Sequence, residues 1–336
     1  MRLAGLLLII PAALSAQKSS GHWHIGLTYH DYGITIGNAA RTNGLRLNFE
    51  DVDLDRVNGV NVTIWKAAEP LSGTVNGLSV GVVGPGAEEL NGISIGIGGV
   101  VAERRARWLT VGGLGVVSND RLEGVAIAGL GTVANGDLTG LAIGGLGTVA
   151  NRDIGGVAIS GLGTVANRNL SGIAFALLGT VANRDITGIA IAGLGTVANR
   201  DLTGIAIGGL ATVANGNTRG VSVGGLASVS NGSLTGLGIG GLALVANGEL
   251  RGVGLTVGTL AASRVQGLGT AIYVKTYELR GFSVGVYNRV RGPQIGLTIG
   301  IYNSARVLKG VQLGIVNRAQ NNHGLFKILP LVNAHL

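Results

Sequence analysis

His22 and His24 flank Trp23 in the stretch GHWHIG, and His30 follows nearby. Alternate residues of a strand share a face, so the first two imidazoles could meet one metal ion; on a terminal strand the expectation is two exposed side chains. The stretch FEDVDLDR carries Glu50, Asp51, Asp53 and Asp55. Carboxylates at that spacing could gather oxygen ligands for Ca2+ on one strand face. The glycine-rich calcium turn of nonapeptide β-rolls is missing, and a solvated edge is expected for all four. The chain has no Cys, which excludes thiol nucleophiles and thiolate metal sites. No H-E-x-x-H or P-loop pattern occurs. The expectation is a protein that is not an enzyme and holds no cofactor.

Charge is distributed unevenly. From residue 251 onward, Arg251, Arg264, Lys275, Arg280, Arg289, Arg291, Arg306, Lys309, Arg318 and Lys327 stand against Glu278 alone, a net of +9 in a chain of +8. Such a region attracts anionic lipid headgroups or polysaccharide through a screened field. Tyr273, Tyr277, Tyr287 and Tyr302 cluster in the same region. Arg152, Arg168, Arg184 and Arg200 recur at one spacing beside Asp153, Asn169, Asp185 and Asp201, which reads as a charged, solvated edge. Thr132, Thr148, Thr164, Thr180, Thr196 and Thr212 form another column. A one-wide Thr array lacks the two-wide T-x-T pattern expected of an ice-binding face.

These columns arise from an internal repeat. Gly recurs every sixteen residues from Gly124 to Gly252, and Asn from Asn119 to Asn247, with Leu and Val columns in the same register. The stretch GTVANRDITGIAIAGLGTVANRDLTGIAIGGL, from Gly179 to Leu210, shows two units nearly identical. Looser units such as GLRLNF, GVNVTI, GLSVGV and GISIGI precede the block, beginning at Gly44, Gly59, Gly77 and Gly92. Each unit opens with period-two alternation, the signature of a strand, and closes on Asn and Arg-Asp or Gly-polar pairs, which is turn chemistry. With 62 Gly, each costing a helix about 1 kcal/mol, a helical repeat is excluded.

The fold expected is all-β: a parallel β-solenoid of roughly twenty coils of 14–18 residues, with the regular repeats spanning about 109–252. In such a stack Asn135, Asn151, Asn167, Asn183, Asn199, Asn215 and Asn231 form a structural ladder, each amide bonded to the one above and below. Asn183→Ala is therefore expected to cost a few kcal/mol, and the same change at Arg184, on the solvated edge, under about 0.5 kcal/mol. The alternative is an outer-membrane β-barrel acting as a pore or anchor. GVAIAGLGTVA has the length of a membrane strand, but the girdle aromatics are missing and the turns are uniform. Residues 1–16, MRLAGLLLIIPAALSA, read as a secretory signal peptide, which leaves residues 17–336 as a single β-repeat array.

The tail units GFSVGVYN, GLTIGIYN and GVQLGIVN, starting at Gly281, Gly296 and Gly310, with the closing GLFKILPLVNAHL, resemble a family of bacterial surface repeat-containing proteins. Its unit is G-Φ-x-Φ-G-Φ-x-N with a short variable spacer. The match is good over 281–336 and looser elsewhere; the middle block departs from it with AGLGTVAN. The resemblance implies a non-enzymatic protein exported to the cell surface or outer membrane of a bacterium, with a structural or binding role. It transfers no catalytic residue. Nucleic acid is not an expected partner for an exported chain.

Overall fold

The computed structural model describes residues 13–19 and 22–335, and side chains from Trp23 onward. The protein is an all-β solenoid. Its one helical segment among the described residues is the 3-10 turn Gly324–Lys327. The chain divides into two compact units, Met1–Asn151 and Arg152–Leu336. Residues 1–12 of the expected leader lie outside the described residues.

One coil of the second unit shows how the repeat folds. Ile186–Ala192 and Gly195–Ala198 are strands, joined by the turn Gly193-Leu194 and closed by Asn199, Arg200 and Asp201. Each strand pairs in parallel with its equivalent one coil away: Gly188 lies opposite Gly172 and Gly204, and Thr196 opposite Thr180 and Thr212. The first unit follows the same rule, with Gly44 opposite Gly33 and Gly59. Parallel pairing of like residues overturns the barrel alternative, whose strands must be antiparallel to close a meander.

The recurrent Gly at the start of each unit is a corner. Gly188 has φ near +122°, and a Cβ placed on it would meet the carbonyl oxygen of Gly172 at 2.1 Å. A side chain is excluded both by the conformation and by the approach of the neighbouring coil. The corner is occupied by another residue once: Trp108, paired with Gly92 and Gly124, holds φ near +76°.

The coil encloses one column of Leu or Ile among small and hydroxyl side chains, and it displays further aliphatic columns. Inside the 186–201 coil lie Ile186, Ala190, Ala192, Thr196 and Ala198. The Thr column is thus interior; Thr196 Oγ1 donates to the Ile207 carbonyl at 3.1 Å and Thr212 Oγ1 to that of Val223 at 2.7 Å. Outward point Ile189, Ile191, Leu194 and Val197, with Leu194 46% exposed. The first unit adds a buried polar column beside the buried Val57, Val75 and Leu90. Two residues after each corner, Thr35, Arg46, Asn61, Ser79, Ser94 and Thr110 are buried. On either side of them Ile34 and Ile36, Leu45 and Leu47, Val60 and Val62, Leu78 and Val80, Ile93 and Ile95, Leu109 and Val111 form a two-column aliphatic face, in register from coil to coil. Strand pleating allows only one of the two sets inside.

Both ends break the parallel rule. His22–Tyr29 runs antiparallel to Ala13–Ser19 and to Tyr32–Gly37. The last strand, Ile328–His335, runs antiparallel to the segment from Gly310 to Arg318. Open solenoid ends present unpaired strand edges, and these reversals cover them.

Two expectations need correction. Asp51 is not on a solvated edge: it is buried and receives Arg46 Nη1 at 2.5 Å, Asn48 Nδ2 at 2.7 Å and Asn61 Nδ2 at 3.1 Å. Burial lowers the Arg46 guanidinium pKa, while Asp51 opposes the shift. The pair fits inside because Arg46 also donates to Asn61 and to the Ala39 carbonyl, leaving the charges fully bonded. The Asn ladder forms hydrogen bonds of 2.9–3.1 Å, from Asn135 to Asn119 and Asn151 to Asn135 in the first unit, and through Asn183, Asn199, Asn215, Asn231 and Asn247 in the second, beginning at Asn167. It is exposed rather than buried, because the Asn follows the buried Ala of each strand and so lies in the turn.

Candidate anion-binding face

In the tail the coil shortens, with corners at Gly267, Gly281, Gly296 and Gly310. Counting from each corner, the seventh residue in the last three coils is Asn288, Asn303 or Asn317, and all three are buried. They form a second ladder: Asn288 Nδ2 donates to Asn303 Oδ1 and Asn303 Nδ2 to Asn317 Oδ1, both at 2.8 Å. Asn288 and Asn303 also donate to the carbonyls of Ile299 and Leu313, at 3.0 and 2.9 Å. This ladder locks the register of the strand that follows.

That strand presents the candidate site. With Asn inside, the residue before it and the residues one and three after it face outward. The sixth column is Tyr273, Tyr287 and Tyr302; ring centroids are 5.2 Å apart for the first pair and 4.6 Å for the second. The eighth column is Lys275, Arg289, Ser304 and Arg318, and the tenth is Tyr277, Arg291, Arg306 and Gln320. Between them Val274, Thr276, Val290, Ala305 and Ala319 are buried. Two adjoining grooves follow, of about 250 and 290 Å3; Lys275 and Tyr277 line one, Arg289, Arg306 and Arg318 the other, and Arg291 belongs to both.

The basic tail expected from composition is therefore sorted by the fold. Arg251 pairs with Glu249, Arg264 with Glu249 and Glu278, and Arg280 with Glu278. Among the described residues no carboxylate lies within ion-pair distance of Lys275, Arg289, Arg291, Arg306 or Arg318. Like charges on neighbouring coils repel by roughly 1 kcal/mol each in water, a cost that a bound anion would relieve.

Glu278 is held by Arg280 and Arg264, whose hydrogen bonds keep its carboxyl below the usual carboxylate range. A depressed folded pKa stabilises the fold at and above the ordinary range, and that contribution is lost as pH falls through the lower, folded value. The denaturation midpoint should therefore drop in acid, and Glu278→Gln should flatten that drop, with the two proteins converging at the acid end.

The other residues singled out from sequence do not assemble. His24 is half-buried and His30 is exposed at the turn, its ring edge-on to Tyr29; the His22 side chain lies outside the described residues. Among the described residues no three metal-ligating side chains come together. Asp55 pairs with Arg41. In the Arg column, Arg168 lies 3.9 Å from Asp153 and Arg200 3.8 Å from Asp185. The pattern G-x-S-x-G occurs at Gly77, Gly92, Gly220 and Gly281, but each Ser is buried within a strand. A nucleophile elbow needs an exposed Ser on a strand-to-helix turn. Compared with known proteins, the chain matches no family model, no curated protein and no solved structure.

Proposed function

We propose that the protein is a non-enzymatic, exported bacterial cell-envelope protein, of the kind its tail repeats resemble, that binds anionic polysaccharide through the face bearing Lys275, Arg289, Arg291, Arg306 and Arg318. The observation that carries the reading is the row of five cations without carboxylate partners along two adjoining grooves. Arg presents a planar fork suited to carboxylate and sulfate, and the hydroxyls of Tyr277 and Ser304 add donors and acceptors for sugar hydroxyls. Grooves that run across successive coils suit an extended polymer better than a single small anion. The same cations could meet anionic lipid headgroups, and the experiment separates the two.

The test is binding to polygalacturonate, to neutral dextran and to phosphatidylglycerol vesicles at rising salt. Polygalacturonate should bind, dextran should not, and affinity should fall steeply as exposed charges are screened over about 8 Å at physiological ionic strength. Arg289→Gln combined with Arg291→Gln and Arg306→Gln should weaken binding about tenfold or more. Salt-insensitive binding, or an unaffected triple variant, would remove this face from the reading. Binding to the vesicles alone would transfer it to lipid.

A further inference from the structure

We propose that the aliphatic face of the first unit docks on a lipid bilayer, with tryptophans at the boundary between hydrocarbon and water. The inference is independent of the basic tail. It begins with what the coils display: paired Ile, Leu and Val columns face outward over consecutive coils, while the residue between them, such as Arg46 or Asn61, is polar and buried. A contiguous apolar face of this kind marks an interaction site.

The aromatic residues identify the occupant. All three Trp of the chain, Trp23, Trp65 and Trp108, are in this unit and exposed. Trp108 is 73% exposed and stands between Arg107, which pairs with Glu123, and Leu109 of the aliphatic columns. The polar side of this border continues as an Asn ladder, with Asn58 donating to Asn43 at 2.7 Å and Asn76 to Asn58 at 2.8 Å. On the opposite border Trp65 stacks on Phe49, centroids 6.2 Å apart, next to Lys66. The face is therefore aliphatic in the middle and aromatic where it turns polar, the arrangement that indole rings adopt at a membrane interface.

Trp108 adds a second argument. It occupies a corner whose positive φ suits Gly, and a bulky residue there is strained. Glycine would fold better at this position, so the Trp stands against the demand of the fold. A second copy of the chain is the poorer occupant, because an indole projecting from the border would hold two flat faces apart.

The experiment uses the full chain and zwitterionic phosphatidylcholine vesicles. Trp emission should shift to the blue on mixing, be quenched by lipids brominated on the acyl chain, and remain so in high salt. Trp108→Gly should lower vesicle partitioning several-fold while raising the denaturation midpoint, so that loss of binding cannot be ascribed to misfolding. Ile93→Lys, an exposed position within the aliphatic columns, should lower partitioning in the same way. The proposal is overturned if phosphatidylcholine causes neither shift nor quenching, or if binding needs phosphatidylglycerol and is abolished by salt. It is equally overturned if the shift follows protein concentration without lipid, which would identify self-association.

Discussion

Replacing Gly188 with Ala should destabilise the protein by about 3 kcal/mol or more, although only one methyl group is added. The residue sits at φ near +122°, and its new Cβ would lie 2.1 Å from the Gly172 carbonyl oxygen, a backbone atom already committed to the stack. Neither atom can move without breaking the register of the coil. Gly195 provides the control within the same coil. A Cβ there would meet its nearest neighbour, the Ala211 carbonyl oxygen, at 3.6 Å, and the equivalent position one coil on is already Ala211. Gly195→Ala should change the midpoint by less than about 0.5 kcal/mol. Denaturant midpoints for the two variants check both statements; equal effects would mean that the corner column is not what holds successive coils in place.

The two Asn ladders should differ sharply. Asn303→Ala removes a buried amide that donates to Asn317 Oδ1 and to the Leu313 carbonyl. Both acceptors would lose their donor where water does not reach, and buried groups left so cost about 1–3 kcal/mol each. A loss of about 3 kcal/mol is expected, with the following strand, which carries Arg289, Arg306 and Arg318, loosened as well. Asn183→Ala deletes two ladder bonds, one donated to Asn167 at 3.1 Å and one accepted from Asn199 at 3.0 Å, but in an exposed turn where water replaces them. Its cost should stay below about 1 kcal/mol. Comparison of the two midpoints, with polygalacturonate binding measured for Asn303→Ala, tests the assignment. The larger loss at Asn183 would mean that the interior has been assigned to the wrong ladder.

Much of this architecture is legible in the sequence because a solenoid places like residues on like residues. A sixteen-residue period with no slip needs only the next unit to pair with, so strand, turn and parallel stacking follow from local pattern alone. The corner glycines declare themselves for the same reason: the backbone there strongly favours one residue type, and it recurs. The Asn135 to Asn231 column could be recognised as a ladder from its spacing.

What spacing could not convey is which side of each strand faces inward. Period-two alternation is symmetric with respect to inside and outside, and here aliphatic residues lie on both sides: Leu138, Ile154, Leu170, Ile186 and Leu202 are buried while other Ile, Leu and Val columns face outward. Only the closed coil decides this, because it sets which column of each strand lies against the interior: Ile186, Ala190, Thr196 and Ala198 are inside, and Ile189, Ile191 and Val197 are outside. That choice buries Asp51 with Arg46, exposes the long Asn ladder, buries the short one at Asn288, Asn303 and Asn317, and brings the aliphatic columns to the surface. The basic tail was likewise a matter of count until the fold paired Arg251, Arg264 and Arg280 with Glu249 and Glu278 and aligned five other cations on one face. Charge composition is a property of the chain, whereas which charges are neutralised depends on neighbours one coil away, and those neighbours exist only once the coils have stacked.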